Sequence, residues 1–270
     1  MIKLSSYHTH CSFCDGKNTP REMVEEAIRL GCPEIGFSSH SPLPYKDSWA
    51  MTEDGISDYM SELSSLRDEY SGKIKVYIGM EEDILSPPPP CGLDYIIGSV
   101  HHVQIPGGYL SVDESAATTR EGVEKYFDGD PYAFAESYYG CISEIYTRTG
   151  CDIVGHFDLL TKFIERDPLI DEKEPRYLRA RDAALESLLS SPAVFEVNTG
   201  AISRGYRTAP YPHPSVLERI RAAGKPVIVT SDTHSVGTLD FLLDETAARL
   251  SADGMHVITS MDELLEYTRK

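Results

Sequence analysis

The sequence predicts a parallel α/β fold, with a barrel favoured over an open doubly wound sheet. Seven short runs are rich in Val and Ile, and most of them are apolar throughout, as strands buried in a parallel sheet are. Helical patterns separate these runs, and this alternation is typical of parallel sheets. A chain of 270 residues with 41% hydrophobic and 25% charged residues also suits one folded domain over residues 1–270.

The predicted strands and helices alternate along the chain. The strands cover residues 2–7, 34–38, 74–79, 95–100, 152–154, 194–197 and 227–230. The helices cover residues 20–30, 55–70, 131–149, 174–189, 214–223, 238–250 and 261–268. The first helix is the clearest, because Thr19 can cap it, Pro20 suits its first position, Glu22 completes a capping box and Gly31 can end it. Residues 86–90 and 104–119 are predicted to be loops, the second a candidate cover for a site.

The net charge of −18 disfavours nucleic acid as a partner. A field of that sign repels phosphate backbones, although a bound metal can reverse the local charge around a small anionic substrate. No apolar run approaches the roughly 18 residues that a membrane span needs, and no secretory signal is visible. Six cysteines are too few for a disulfide scaffold. We therefore expect a cytoplasmic protein that acts on a small molecule; the sequence makes no prediction of its oligomeric state.

Residues able to bind metals follow each of the seven predicted strands. They are His8 and His10, His40, Glu81 with Glu82 and Asp83, His101 and His102, His156 and Asp158, Glu196 and Asn198, and Asp232 and His234. In a barrel these strand ends meet at one face, where such folds carry their chemistry. Imidazole and carboxylate groups together favour Zn, Mn or Fe, and a carboxylate such as Glu81 can bridge two ions. One such residue would be ordinary, whereas an unbroken succession of them predicts a metal site.

Other signals in the sequence are weaker. Adjacent strand residues face opposite sides, so only one of His101 and His102 is expected to point inward, and we take His101. Cys11 and Cys14 form a single Cys-x-x-Cys pair, so a cysteine-containing metal site is a minor alternative, and Asp15 is preferred as the ligand from this loop. The usual motifs of nucleotide-binding loops, serine hydrolases and cysteine phosphatases do not occur in the sequence.

Taken in order, these motifs resemble the PHP (polymerase and histidinol phosphatase) superfamily. The matching segments are His8-x-His10, Asp15, His40, Gly79-Met80-Glu81, Gly98-Ser99-Val100-His101, Gly155-His156-Phe157-Asp158 and Ser231-Asp232-Thr233-His234. Three stretches are similar to the monofunctional histidinol-phosphate phosphatases of that superfamily: residues 40–42, 156–162 and 196–199. The resemblance implies a distorted (β/α)7 TIM-like barrel, the PHP fold, with a trinuclear metal centre.

The resemblance also implies a role for each matched residue. His8, His10, Glu81 and Asp232 would hold a first metal, Glu81, His101 and His156 a second, and Asp15, His40 and His234 a third. Glu81, Asp232 and His234 would be the catalytic groups, and the three divalent ions would be Zn, Mn or Fe. A hydroxide shared by two ions would attack phosphorus in line with the leaving alkoxide.

Further residues are candidates for contacts to a phosphate ester. Lys162, Arg204 and Arg207 lie a few residues past strand ends and could balance charge on phosphate oxygens, and Arg suits bidentate contact better than Lys does. Asp158 and Glu196 are candidates for contact with the cationic amine or imidazole of histidinol.

The favoured function is a phosphomonoesterase that acts on L-histidinol phosphate in histidine biosynthesis. The first alternative is another phosphoesterase of the same superfamily, acting on a different small phosphate ester or a nucleotide. The second is a non-enzymatic, metal-dependent binding module, which the complete set of candidate ligands disfavours.

Overall fold

A curled parallel sheet forms the centre of the fold. The computed structural model describes residues 3–45 and 47–269. Its strands are β1 (Glu34–Phe37), β2 (Lys75–Asp83), β3 (Tyr95–Ser99), β4 (His102–Ile105), β5 (Gly108–Ser111), β6 (Ile153–Val154), β7 (Val194–Asn198), β8 (Val227–Thr230) and β9 (Val257–Ile258). Within these ranges of the chain, seven strands lie in the order β1-β2-β3-β6-β7-β8-β9, and all neighbours are parallel. The predicted parallel α/β fold is confirmed.

Helices connect the strands and pack against them. They are α1 (Pro20–Leu30), α2 (Glu53–Glu69), α3 (Ala116–Tyr126), α4 (Pro131–Thr149), α5 (Pro175–Leu189), α6 (Gly200–Ser203), α7 (Pro214–Ala222), α8 (Leu243–Ala252) and α9 (Met261–Thr268). Short 3-10 helices lie at Leu159–Thr161 and Val236–Thr238. The capping box predicted for α1 is confirmed, with Thr19 and Glu22 bonded to each other's backbone and Gly31 ending the helix at a φ of 78°. None of the helices in the described part of the chain is long and apolar enough to span a membrane.

The N-terminal segment, residues 4–10, closes the sheet at its carboxyl-terminal rim. The amide of Gly36 in β1 donates to the carbonyl oxygen of Ser6 at 3.1 Å. On the other side of the segment, Thr9 forms a parallel bridge with Thr233, which lies just beyond β8. The segment therefore fills the space between β1 and the end of β8, and the predicted barrel-like curvature is confirmed.

The prediction of a regular first strand over residues 2–7 is wrong, although the position of this segment in the barrel is right. Residue 2 lies outside the described residues, and residues 3–7 have no strand pairing. Side-chain hydroxyls take up some of the backbone bonds: the Glu34 amide donates to Ser5 Oγ at 3.3 Å, and the Thr9 amide donates to Ser38 Oγ at 3.1 Å. These hydroxyls replace the continuous backbone ladder that a regular strand requires.

Residues 104–119, predicted to be a loop, contain most of a hairpin and the start of a helix. Strands β4 and β5 pair antiparallel, and Pro106 and Gly107, the latter with a φ of 82°, make the turn between them. Helix α3 then begins after Ser115, whose side chain accepts from the Thr118 amide. The Pro-Gly pair is a turn signal that predicts such a hairpin. Strand β9 was not predicted either, because two residues are too few to show a pattern.

Tyr95 packs inside the barrel beneath the N-terminal segment. Its hydroxyl oxygen lies 2.5 Å from the carbonyl oxygen of Tyr7 and 2.9 Å from that of Phe37. A Cβ atom on Gly36 would approach this hydroxyl to 2.6 Å, and one on Gly79 would approach the ring to 2.4 Å. Glycine at these two positions therefore leaves the space that the Tyr95 ring occupies, and the ring joins the N-terminal segment to β1.

We expect Tyr95→Phe to lower the free energy of unfolding by about 1–3 kcal/mol, because it leaves buried carbonyl groups without their donor. Urea denaturation followed by circular dichroism measures this loss. Tyr109→Phe is the matched control, since Tyr109 is 37% exposed, and its effect should stay within about 0.5 kcal/mol. Equal stability of Tyr95→Phe and wild type would contradict the structural role of this hydroxyl.

Candidate metal centre

Nine metal-capable side chains converge at the carboxyl ends of the strands. They are His8, His10, Asp15, His40, Glu81, His101, His156, Asp232 and His234, and we call them the nine-residue cluster. Each lies in or just after the N-terminal segment, or at or just beyond the carboxyl end of β1, β2, β3, β6 or β8. In the described part of the chain they form four groups, within each of which the ligand atoms lie within 4.8 Å of one another. The structure thus brings together all nine positions that the sequence analysis proposed as ligands.

The four groups overlap with the three ligand sets implied by the family resemblance. They are His10, Asp15, His40 and His234; His8, Glu81 and His156; His8, His10 and Asp232; and His40, Glu81 and His101. The set Asp15, His40 and His234 falls within one group. The other two sets are divided among the remaining three groups, of which two contain His8 and two contain Glu81.

Glu81 lies at the centre of the cluster. Its Oε2 is 2.8 Å from His40 Nδ1 and 3.1 Å from His8 Nε2. Its Oε1 is 2.9 Å from His156 Nε2 and 3.4 Å from His101 Nε2. The side chain is fully buried, so no solvent screens these contacts. Each of the two carboxylate oxygens therefore lies beside two imidazoles, an arrangement that suits a carboxylate shared between two metal ions.

The pKa of each group in the cluster depends strongly on the charges of its neighbours. Burial alone would raise the pKa of Glu81, but the imidazoles of His8, His40 and His101 outweigh it and hold the pKa well below its usual range. Burial lowers the pKa of His10, and the neighbouring rings of His234 and His40 lower it further. Burial opposes protonation of His8 and His101 as well, but the surrounding carboxylates outweigh it and raise the pKa of both rings, so a metal that binds these rings displaces protons.

Polar atoms at the centre of the cluster lack hydrogen-bond partners. They are His8 Nε2, His10 Nε2 and Glu81 Oε2, all of them buried; their close contacts with one another and with His40 are not hydrogen bonds, and no other described residue offers them one. Buried polar atoms in proteins are rarely left without a partner. A metal ion would satisfy all three atoms, and imidazole and carboxylate are ligands suited to Zn, Mn and Fe. The residues present therefore fit a metal centre.

Asp15 and Asp232 extend the cluster toward its open side. Asp15 Oδ1 lies 3.3 Å from His234 Nε2 and 3.7 Å from His40 Nε2. Asp232 Oδ1 lies 3.4 Å from His10 Nε2, and its Oδ2 accepts a hydrogen bond from Arg204 at 2.9 Å. Asp232 adopts a left-handed backbone conformation with a φ of 45°, which is rare for a residue with a side chain and is typical of functional sites.

Neighbouring side chains contact the second ring nitrogen, Nδ1, of three histidines in the cluster. Glu196 Oε1 is 2.6 Å from His8 Nδ1, Asp83 Oδ2 is 3.0 Å from His101 Nδ1, and Cys14 Sγ is 3.5 Å from His10 Nδ1. Such partners fix the tautomer and direct the other nitrogen at the metal position. The alternation of side chains along β2 could have identified Asp83, because residues 81 and 83 face the same side.

The nine-residue cluster opens into a cavity of about 830 Å³. Lys162 and Arg204, two of the three cations proposed for phosphate, line it. Arg204 donates to Asp232 and lies 3.3 Å from His234 Nδ1, while Lys162 donates to the carboxylate of Asp113 at 3.0 Å. Both cations are thus held in place by carboxylates at the wall of the cavity.

The structure places the other three proposed substrate contacts away from the cavity surface. Glu196 is fully buried and accepts from the amide of His156 at 2.6 Å, in addition to its contact with His8. Asp158 is also fully buried and accepts from the amide of His213 at 2.7 Å. Arg207 is 7% exposed and donates to the hydroxyl of Thr161. Their hydrogen bonds hold neighbouring groups in position, and the cavity is lined by other residues.

Three aromatic residues that sequence reasoning did not select, Trp49, His102 and Tyr206, also line the cavity. Trp49 lies over the cluster, with its ring centroid 4.5 Å from that of His40 and 5.2 Å from that of His101. His102 also lines the cavity and stacks on Trp49. The expectation that only one of His101 and His102 points inward is wrong, because the chain leaves β3 at Ser99 and the strict alternation of a strand does not apply beyond it.

The Cys-x-x-Cys pair is divided between two environments. Cys11 is fully buried, and its sulfur lies 3.2 Å from Ser39 Oγ. Cys14 is half-buried, and its sulfur lies 3.5 Å from Nδ1 of His10. Neither sulfur belongs to the candidate metal groups found in residues 3–45 and 47–269, so Asp15 is the residue of this loop that joins the cluster.

We expect Glu196→Gln to weaken metal binding by about 10–100-fold, because the charged partner that orients His8 is lost. Metal content after dialysis against graded chelator concentrations measures this change. Glu121→Gln, an exposed position on α3, is the matched control and should retain metal as the wild type does. Retention of metal by Glu196→Gln at the wild-type level would show that His8 does not need this partner.

Comparisons with known proteins agree with this geometry. A profile of the PHP domain matches residues 6–200. The probable histidinol-phosphatase of Deinococcus radiodurans is 27% identical over 271 residues, which cover 96% of this chain and 97% of that protein. The histidinol-phosphatase of Bacillus subtilis is 29% identical over 259 residues, which cover 87% of this chain and 94% of that protein.

A solved structure shares the fold. Histidinol phosphate phosphatase of Lactococcus lactis, crystallised with zinc, L-histidinol and phosphate, has a TM-score of 0.71 to this structure, covers 96% of each chain and is 21% identical. The PHP profile extends over far more than half of the sequence. This chain therefore belongs to the PHP domain family.

Proposed function

We propose that this protein is a metal-dependent phosphomonoesterase that hydrolyses L-histidinol phosphate to L-histidinol and phosphate, a reaction of histidine biosynthesis. The observation that carries the proposal is the opening of the nine-residue cluster into the same cavity as Arg204 and Lys162. A cluster of imidazoles and carboxylates beside two cations suits an ester that carries a phosphate dianion. The relatives named above as histidinol-phosphatases support this choice of substrate.

The proposal includes three divalent ions, of Zn, Mn or Fe, held by the nine-residue cluster. His8, His10, Glu81 and Asp232 would hold one, Glu81, His101 and His156 another, and Asp15, His40 and His234 the third. When bound, such ions supply a nucleophile from water at neutral pH and neutralise phosphate charge. Glu81 is the bridging ligand in this scheme, which agrees with its central position among the imidazoles.

The chain's own residues bind and orient the ester. Arg204 donates to phosphate oxygens from beside Asp232, and Lys162 does so from beside Asp113. Because carboxylates hold both side chains before substrate arrives, little side-chain freedom is lost on binding. Asp83 and Glu196 contact Nδ1 of His101 and His8, and Nε2 of each ring is thereby directed at Glu81 in the cluster. Asp232 serves both as a ligand and as the anchor of Arg204, so it links the metals to the phosphate site.

The wider setting of the enzyme belongs to the same proposal. Residues 1–270 form one domain, the enzyme works in the cytoplasm, and its substrate is a small phosphorylated molecule. A net charge of −18 opposes binding to the phosphate backbone of a nucleic acid. Divalent ions held by the cluster would offset that charge locally, as do Lys17, Lys162 and Arg204, which line the cavity.

The test is phosphate release from L-histidinol phosphate by Mn- or Zn-loaded protein, beside p-nitrophenyl phosphate, a mononucleotide and a phosphodiester. We expect kcat/KM above about 10⁴ M⁻¹s⁻¹ for L-histidinol phosphate, which is ordinary enzyme performance, and much lower values for the others. Glu81→Gln is the inactive control. Weak, unselective hydrolysis of all esters would contradict the choice of substrate, and no hydrolysis of any ester would contradict the phosphatase class.

We expect removal of the metals to lower the melting temperature by about 5 °C or more, because ions that bind only the folded chain stabilise it. Differential scanning calorimetry with and without EDTA measures the shift. The matched control is Glu81→Gln, whose melting temperature should respond much less to EDTA because it lacks the bridging carboxylate. An unchanged melting temperature of the wild type after complete metal removal would contradict the expectation.

A further inference from the structure

The cavity contains carboxylates beyond those of the nine-residue cluster. Asp15, Glu81 and Asp232 belong to the cluster, whereas Asp47, Asp113 and Glu114 line the same cavity and fall in none of the four candidate metal groups. Extra negative charge in a site for a phosphate dianion weakens binding through repulsion unless the substrate carries positive charge elsewhere. These carboxylates therefore point to a ligand with a cationic end.

Aromatic rings accompany these carboxylates and join them to the cluster. Trp49 contacts His40 and His101 and stacks on His102, at a centroid distance of 5.8 Å and an interplanar angle of 12° for the stacked pair. We call Asp47, Trp49, His102, Asp113 and Glu114 the carboxylate–aromatic wall. A group attached to a phosphate at the cluster has this wall within the same cavity.

A second layer of aromatic rings packs against His102 of the carboxylate–aromatic wall. His102 is 6% exposed and packs edge-on against Tyr45, which stacks on Tyr109 of the hairpin. Asp47, Asp113 and Glu114 line the cavity together with the ring of His102. The packed rings therefore give the wall a fixed aromatic surface beside carboxylates, which suits a ligand with nitrogen donors.

The carboxylates of the cavity are not all paired with cations. Arg204 contacts Asp232 and His234, and Lys162 pairs with Asp113 of the wall. The carboxylates of Asp47 and Glu114 have no basic partner in the described residues. The cavity therefore contains cations that suit an anion and also keeps unpaired negative charge in the same wall as Trp49. This pattern matches a zwitterionic molecule with a phosphate at one end and a cation at the other.

We propose that the carboxylate–aromatic wall binds the positively charged, nitrogen-containing end of the substrate and so selects aminated phosphomonoesters. The inference rests on the proposed phosphatase function and names the residues that set its specificity. Asp47 and Glu114 pair with an ammonium group, and Trp49 offers its face to a cation or a flat heterocycle. These residues take the role that sequence reasoning gave to Asp158 and Glu196, which lie outside the cavity lining.

The test compares kcat/KM for L-histidinol phosphate with kcat/KM for p-nitrophenyl phosphate, which has a ring but no positive charge. We expect the ratio of the two to fall about tenfold in Asp47→Asn and in Trp49→Leu, mainly through KM of L-histidinol phosphate. Asp58→Asn, the same change at an exposed position on α2, is the control and should keep the wild-type ratio. Glu114→Gln is a second variant at the wall with the same expected direction.

A binding measurement separates this inference from the proposed function. Calorimetric titration of the metal-loaded variants with L-histidinol does not depend on turnover, and we expect Asp47→Asn to weaken its binding about tenfold while inorganic phosphate binds as before. A wild type that hydrolyses no phosphomonoester contradicts the proposed function, and binding of L-histidinol then decides the inference. An unchanged kcat/KM ratio together with unchanged L-histidinol binding in Asp47→Asn, Glu114→Gln and Trp49→Leu overturns the inference.

Discussion

The contact of one buried carboxylate with several imidazoles is the interaction on which the rest of the site depends. Glu81 reaches His8, His40, His101 and His156 within 3.4 Å, although these rings come from four different parts of the chain. An unpaired carboxylate would be very costly at this depth, and so would a group of crowded cations. The carboxylate and the imidazoles offset each other's cost of burial, and the barrel brings them together. Strand β2 supplies the carboxylate and lies between β1 and β3, so residues that follow both neighbouring strands can reach it.

Sequence reasoning predicted the parts of the molecule that repeat. Parallel strands followed by helices have a strong apolar pattern, and ligand-type residues at successive strand ends must meet at one rim of a closed sheet. For this reason eight of the nine positions of the cluster could be found from the strand ends, including His156 after a strand of only two residues, while Asp15 was proposed from the loop after the first predicted strand. The first helix was equally predictable, because its cap, its first residue and its end each have a distinct chemical preference.

Features that depend on the third dimension could not be predicted from local pattern. Glu196 and Asp158 follow strands as the ligands do, but the distance of a side chain from the cavity depends on how the next segment covers it. His102 shows the reverse case, since it enters the cavity because the chain turns out of β3 into the hairpin. The irregular first segment was hidden as well, because its apolar composition suggests a strand while its hydroxyl groups take up backbone bonds.

The closure of the barrel by the N-terminal segment has a consequence for synthesis of the chain. His8 and His10 are among the first residues to be made, yet the backbone groups beside them bond to Thr233, near the other end of the chain. Asp232 and His234 flank that same threonine. A growing chain on the ribosome therefore lacks Asp232 and His234 until residues past 234 have emerged. Until then it also lacks Thr233, whose backbone bonds position His8 and His10. Completion of the nine-residue cluster is therefore a late event in the synthesis of the chain, and it requires the segments around residues 8–10 and 232–234 to come together.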